Sequence, residues 1–149
     1  MDTRRGIYEG KLRKLKKEEK RANNTIKLPQ WLQVTLTDYD IECIQKAKQI
    51  IDADLGNHFT IVNISVKVHI GKTKLKQGFR EYFGMGLFTY LKIQRMHKAA
   101  ELLAETKRTI KQISRDTGFK YTTNFNKAFA SFHGITPANY RHLFKIQSQ

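Results

Sequence analysis

From Thr60 to Tyr90 the chain carries a pattern that returns about fifty positions later, from Thr109 to Tyr140. Thr60-Ile61 pairs with Thr109-Ile110, Ile64-Ser65 with Ile113-Ser114, Ile70 with Phe119, Leu75 with Phe125, Phe79 with Phe129, Gly84 with Gly134 and Tyr90 with Tyr140. The register slips by one residue between Ile70 and Leu75. Equal apolar spacings and equal breakers present the same local physics twice, so two similar helical modules are expected.

The charge explains what such a pair of modules is for. The chain of 149 residues has a formal net charge of +15. Residues 1–36 hold ten Lys/Arg against four Asp/Glu, residues 37–56 two against five, and residues 57–149 sixteen against four. The doubled region is therefore basic by itself, preceded by a mildly acidic stretch. A paired basic device suits an extended, regularly repeating polyanion, and double-stranded DNA is the first candidate partner.

Other classes find little support. No stretch approaches the roughly 18 apolar residues of a membrane span and no apolar signal segment opens the chain, which predicts a soluble cytoplasmic protein without a membrane partner. Cys43 is the only cysteine and lies among Ile41, Ile44, Ala47, Ile50 and Ile51, the setting of a small buried apolar residue. The five histidines show no metal-ligand spacing, and there is no phosphate-binding glycine loop or nucleophile motif. Neither an enzyme, nor a metal, nor a cofactor is expected.

The breakers and caps divide the chain into helices. Thr37 with Asp40 resembles a capping box and predicts a helix from about Asp38 to Asp54, stopping near Gly56. A second runs from Thr60 to about His69. Although Phe59-Thr60-Ile61-Val62 is β-rich, its match to the second copy predicts helix. Gly71-Lys72 opens a third, with Leu75, Phe79 and Phe83 at i, i+4 and i+8 until Gly84. Leu87 to about Thr106 contains no Gly or Pro and reads as one long helix with Phe88, Leu91, Met96, Ala99 and Leu103 on a stripe. Its roughly twenty residues would span about 30 Å, close to the roughly 34 Å between successive major-groove faces of DNA, though an ordinary core helix has the same length.

In the second copy Thr109 and Gln112 form a capping box for a helix over Ile110–Thr117, Gly118 permits a tight turn, and the next helix carries Phe125, Phe129 and Phe132 before Gly134. Thr136-Pro137 starts a last short helix through Leu143. The fold class is all-α: about seven helices, with two helix-turn-helix subdomains joined by a long central helix in a homeodomain-like architecture. The run KLRKLKKEEKR (11–21) has only Leu12 and Leu15 as apolar residues and predicts a flexible tail or a frayed helix within a basic segment over 1–36.

In each copy the second helix is placed to read a major groove while the first braces it. Its outward side offers Lys72, Thr73, Lys76, Gln77 and Arg80 in the first copy, and Tyr121, Thr122, Thr123, Asn126 and Lys127 in the second. Gln77 and Asn126 suit adenine edges, Lys76 and Lys127 guanine edges, and Thr73 and Thr123 a thymine methyl or a hydrogen bond. Lys72, Lys74, Arg80, Lys120 and Arg141 suit phosphates, with the helix N-termini at Thr60 and Thr109 adding backbone amides.

The stretch RMHKAAELLAETKRTIKQISRDTGFKYTTNFNKAFASFHGITPANYR, from Arg95 to Arg141, resembles the second half of the AraC/XylS-type DNA-binding domain, and KLKQGFREYFG, from Lys74 to Gly84, resembles its first recognition helix. The resemblance covers residues 38–143, about two-thirds of the chain. It implies a bacterial transcription regulator, usually an activator. Such a protein inserts both recognition helices into adjacent major-groove segments and often contacts RNA polymerase. By that resemblance Thr73, Lys76, Gln77, Thr123, Asn126 and Lys127 fall at base-facing positions. His69 stands where the family's first turn offers glycine, and Gln77 where arginine is common.

The implied DNA-binding domain spans about 37–145, with helix-turn-helix units at about 60–84 and 109–134, a linker helix at about 87–106 and a short tail at 146–149. The thirty-six residues ahead of it are too few for a small-molecule effector domain. The alternative function is a sequence-neutral DNA- or RNA-binding protein acting through charge alone.

Overall fold

The computed structural model describes residues 35–147, and among these it contains seven helices and no strand. They are α1 (Asp38–Ala53), α2 (Ile61–Val68), α3 (Lys72–Phe83), α4 (Leu87–Glu105), α5 (Ile110–Asp116), α6 (Thr122–His133) and α7 (Pro137–Gln147). The charge run at 11–21 lies outside the described residues. Residues 35–53 and 59–90 form one compact unit, and residues 54–58 and 91–147 a second.

In the first unit the start of α1 is fixed by a reciprocal cap. The Thr37 amide and hydroxyl both donate to Asp40 Oδ2 at 2.9 Å, and the Asp40 amide donates back to Thr37 Oγ1 at 3.2 Å. Aspartate thus does the work that glutamate does in the usual box. The same buried carboxylate meets Lys74 Nζ of α3 at 3.0 Å, tying the two helices together. The Thr37 amide, then Lys74, hold its pKa below the ordinary carboxylate value.

Cys43, Ile44, Ala47 and Ile51 bury one face of α1, and Ile64, Val68, Leu75 and Phe79 complete this core. Gly78 explains how α1 and α3 come so close. A Cβ there would lie 2.6 Å from Ile44 Cδ1 and 2.8 Å from Leu36 Cδ2, so any side chain would oblige the ends of those two to move.

The second unit is built on α4. Leu91, Ile93, Met96, Ala99, Ala100 and Leu103 are buried along it, together with Ile113 of α5 and Phe125, Phe129 and Phe132 of α6. The Phe129 ring lies 5.8 Å from Phe125, 4.2 Å from His133 and 5.3 Å from Tyr140, so an aromatic chain joins α6 to α7.

Two expectations fail locally. Phe88 is 49 % exposed rather than on the buried stripe of the long helix. Leu87 and Leu91, at i and i+4, take the inward positions, and Phe88 is turned away from Leu87 by about 100° of helix. The last helix also runs past Leu143 to Gln147, because nothing after Leu143 breaks it and the Tyr140 and Phe144 rings stack one turn apart at 4.4 Å.

Candidate nucleic-acid interface

The repeat seen in the sequence is reproduced bond by bond in the backbone. Thr60 Oγ1 accepts from the Asn63 amide at 3.1 Å, and Thr109 Oγ1 from the Gln112 amide at 3.1 Å. In the second copy Gln112 Oε1 also accepts from the Thr109 amide, closing a full capping box. The turn then closes with Ile70 N–H to Ser65 O at 3.3 Å and Phe119 N–H to Ser114 O at 2.9 Å. Both second helices end on glycine in the left-handed region, with Gly84 N–H to Arg80 O and Gly134 N–H to Ala130 O at 2.8 Å each.

The turn of the first copy needs a positive φ, and His69 supplies it at φ 60, while Gly118 does so at φ 83 in the second. The departure at His69 therefore leaves the geometry of the turn intact, at the cost of left-handed strain in a non-glycine residue. The one-residue register slip falls in the same turns: α3 is entered through Gly71, whereas α6 is entered through Lys120 and Tyr121. An inserted loop residue leaves the helical spacing on either side unchanged.

Leu75 and Phe79 of α3, and Phe125 and Phe129 of α6, are fully buried, which fixes the opposite side as the one that faces out. On α3, Lys72, Thr73, Lys76 and Arg80 are exposed and Gln77 is half-buried. On α6, Thr123, Asn126 and Lys127 are exposed and Thr122 is half-buried. Tyr121 is the N-cap residue of α6 rather than part of the helix, 56 % exposed, with Lys120 Nζ 5.3 Å from its ring. Asn124, absent from the sequence-based set, is also exposed on α6, one turn from Lys127.

Several residues expected at phosphates already have protein partners. Lys74 is paired with Asp40, and at the two helix N-termini one amide each, of Asn63 and of Gln112, donates to Thr60 Oγ1 and Thr109 Oγ1, while the Thr109 amide donates to Gln112 Oε1. Arg141 donates through Nε to Leu103 O at 3.2 Å and through Nη2 to Arg108 O at 2.6 Å and Thr106 O at 3.5 Å, so its guanidinium closes the C-terminal end of α4. Arg95 plays a similar part, donating to Leu55 O at 2.8 Å and Asn57 O at 2.7 Å. Burial lowers its pKa from the ordinary arginine value.

Sequence reasoning singled out no outward side chain on the brace helices. In the repeat's register Val62 and Val66 of α2 correspond to Lys111 and Arg115 of α5. All four are exposed, so one brace helix shows water two valines and the other two cations. Among the described residues no three His, Cys, Asp or Glu side chains converge as metal ligands, and no helix is long and apolar enough to cross a membrane.

Two helix, tight turn, helix units, each with a polar outward second helix, define a double helix-turn-helix protein. A helix-turn-helix domain family matches residues 64–142, more than half of the chain, and the chain belongs to this family in its AraC-type form. It is 32 % identical over 108 residues to the lactose operon transcription activator of Staphylococcus xylosus, covering 72 % of this chain and 39 % of that protein. It is 30 % identical over 124 residues to the regulatory protein PocR of Salmonella typhimurium, covering 83 % and 38 %. The chain thus spans less than two-fifths of these relatives' length. The C-terminal domain of the two-component response regulator yesN from Fusobacterium nucleatum is similar in structure, with a TM-score of 0.63 and 29 % identity, over 67 % of this chain and 98 % of that one.

Proposed function

We propose that the chain acts as a sequence-specific double-stranded DNA-binding transcriptional regulator, with α3 and α6 entering adjacent major-groove segments. The observation that carries this reading is the repeated helix-turn-helix geometry, in which each second helix turns an amide and a lysine outward: Gln77 with Lys76, and Asn126 with Lys127. Amides suit adenine and lysines guanine, so each unit reads a short element. Thr73, Tyr121, Thr122 and Thr123 complete the base-facing set, and Lys72, Arg80 and Lys120 supply phosphate contacts. The DNA-binding domain then spans about residues 37–145.

An activating role draws support from relatives such as the lactose operon transcription activator, and RNA polymerase would then be a second partner. The protein would work in the cytoplasm on the nucleoid, without catalysis of its own. Selection of binding sites from random duplexes tests the reading. It should return two short elements about one helical turn apart, and Asn126→Ala should cost about 1–3 kcal/mol while relaxing preference at one position. Equal binding of all duplexes, with only a steep salt dependence, would instead indicate the sequence-neutral mode.

A further inference from the structure

The second unit contains a half-open cleft of about 280 Å³ behind its helix-turn-helix turn. It runs from Gly56 and His58, past α5, to the turn that leads into α6. Three cations line it: Lys111 and Arg115, one turn apart on α5, and Lys120 just before α6. Ser114 and Thr122 add hydroxyl donors, and no carboxylate side chain is among the lining residues. Asp116, next to Arg115, is engaged elsewhere, 2.8 Å from Arg108.

We infer that this cleft binds a phosphoryl group carried on a sugar-sized body. Arginine and lysine converging with hydroxyl donors match the multiple acceptor oxygens of phosphate. No side chain caps the N-terminus of α6, so that helix turns its positive end toward the same region through Thr122. The volume lies just under the roughly 300–1,000 Å³ of small-molecule pockets, room for more than a bare anion. The cation pair belongs to the second copy, because the register that brings Lys111 and Arg115 to the cleft holds Val62 and Val66 in the first.

The phosphoryl group could come from the backbone of bound duplex or from a free sugar phosphate; the first source rests on the DNA-binding reading above. The test uses the full chain, labelled with nitrogen-15 and titrated with adenosine monophosphate, beside a Lys111→Gln, Arg115→Gln double variant. Both residues are exposed, so the variant should keep its fold. Saturable shifts of the Gly118, Lys120 and Thr122 amides, weakened at least about tenfold in the variant, are expected from charge-assisted contacts.

If adenosine monophosphate and duplex exclude one another, and the variant loses about 1.8 from the duplex salt slope, the backbone is the source. If both bind together, or if the chain binds no duplex while the amide shifts persist, the source is a free sugar phosphate. No saturable shift with adenosine monophosphate, together with an unchanged duplex salt slope in the variant, would overturn the inference.

Discussion

Gly118→Ala tests a position of the second unit that is constrained in two ways. Two costs are separable. At φ 83 an alanine sits in the left-handed region, which costs about 1–2 kcal/mol. Its Cβ would also lie 2.4 Å from Arg95 Nη2 and 2.6 Å from Arg95 Cζ. The guanidinium is the far end of a flexible side chain and can swing away, but it then releases Leu55 O and Asn57 O. A hydrogen bond from a charged donor contributes about 1.5–3 kcal/mol, less where water replaces it, so the substitution should cost about 2–5 kcal/mol in all. Urea unfolding followed by circular dichroism measures it. In an Arg95→Ala background only the backbone cost should remain, about 1–2 kcal/mol. Equal losses in the two backgrounds would refute the proposed clash, and a loss below about 0.5 kcal/mol in both would refute the strain as well.

The opposite change in the first copy should help: His69→Gly relieves the strained φ and, after glycine's entropy cost, should raise stability by about 0.5–1 kcal/mol, seen as a higher urea midpoint. Tyr90 donates to Asp52 Oδ1 at 2.5 Å, and burial, then Asp52, push its pKa up to about 12. A raised folded pKa means that its contribution is complete below the unfolded value of about 10 and fades as pH rises through the folded one. Tyr90→Phe should therefore flatten the loss of stability between pH 10 and 12 in alkaline denaturation. Asp40 behaves in the opposite sense: its lowered pKa gives stability that is present above about pH 4 and lost as pH falls through the folded value. Asp40→Asn should make the acid limb of the pH–stability curve shallower.

The helices were legible because their ends are written in local chemistry. Thr37-Asp40, Thr60, Thr109-Gln112, Gly84 and Gly134 each satisfy or release backbone groups within a few residues of themselves. Phe88 misled because a stripe chosen by eye can start on the wrong residue of a first turn, and Leu87 settles the matter only once burial is known. Side-chain engagement was less legible still. Nothing local in the sequence says that Arg141 reaches carbonyls more than thirty residues upstream, or that Lys74 closes on Asp40. Lys111 and Arg115 could have been found by carrying the repeat's register onto the brace helices, where a cation pair meets a valine pair. The cleft they line involves Gly56 and His58, brought in from a distant part of the chain.

Gly78 has a bearing on how α3 is placed in the first unit. It sits inside α3 on that helix's buried side, and its missing methyl leaves room for Ile44 of α1 and for Leu36. Filling that gap would displace the ends of the Ile44 and Leu36 side chains or move the helix itself, and with it Thr73, Lys76 and Gln77. On the proposed reading, a methyl group that meets no nucleotide would thus bear on the choice of base through the placement of this helix.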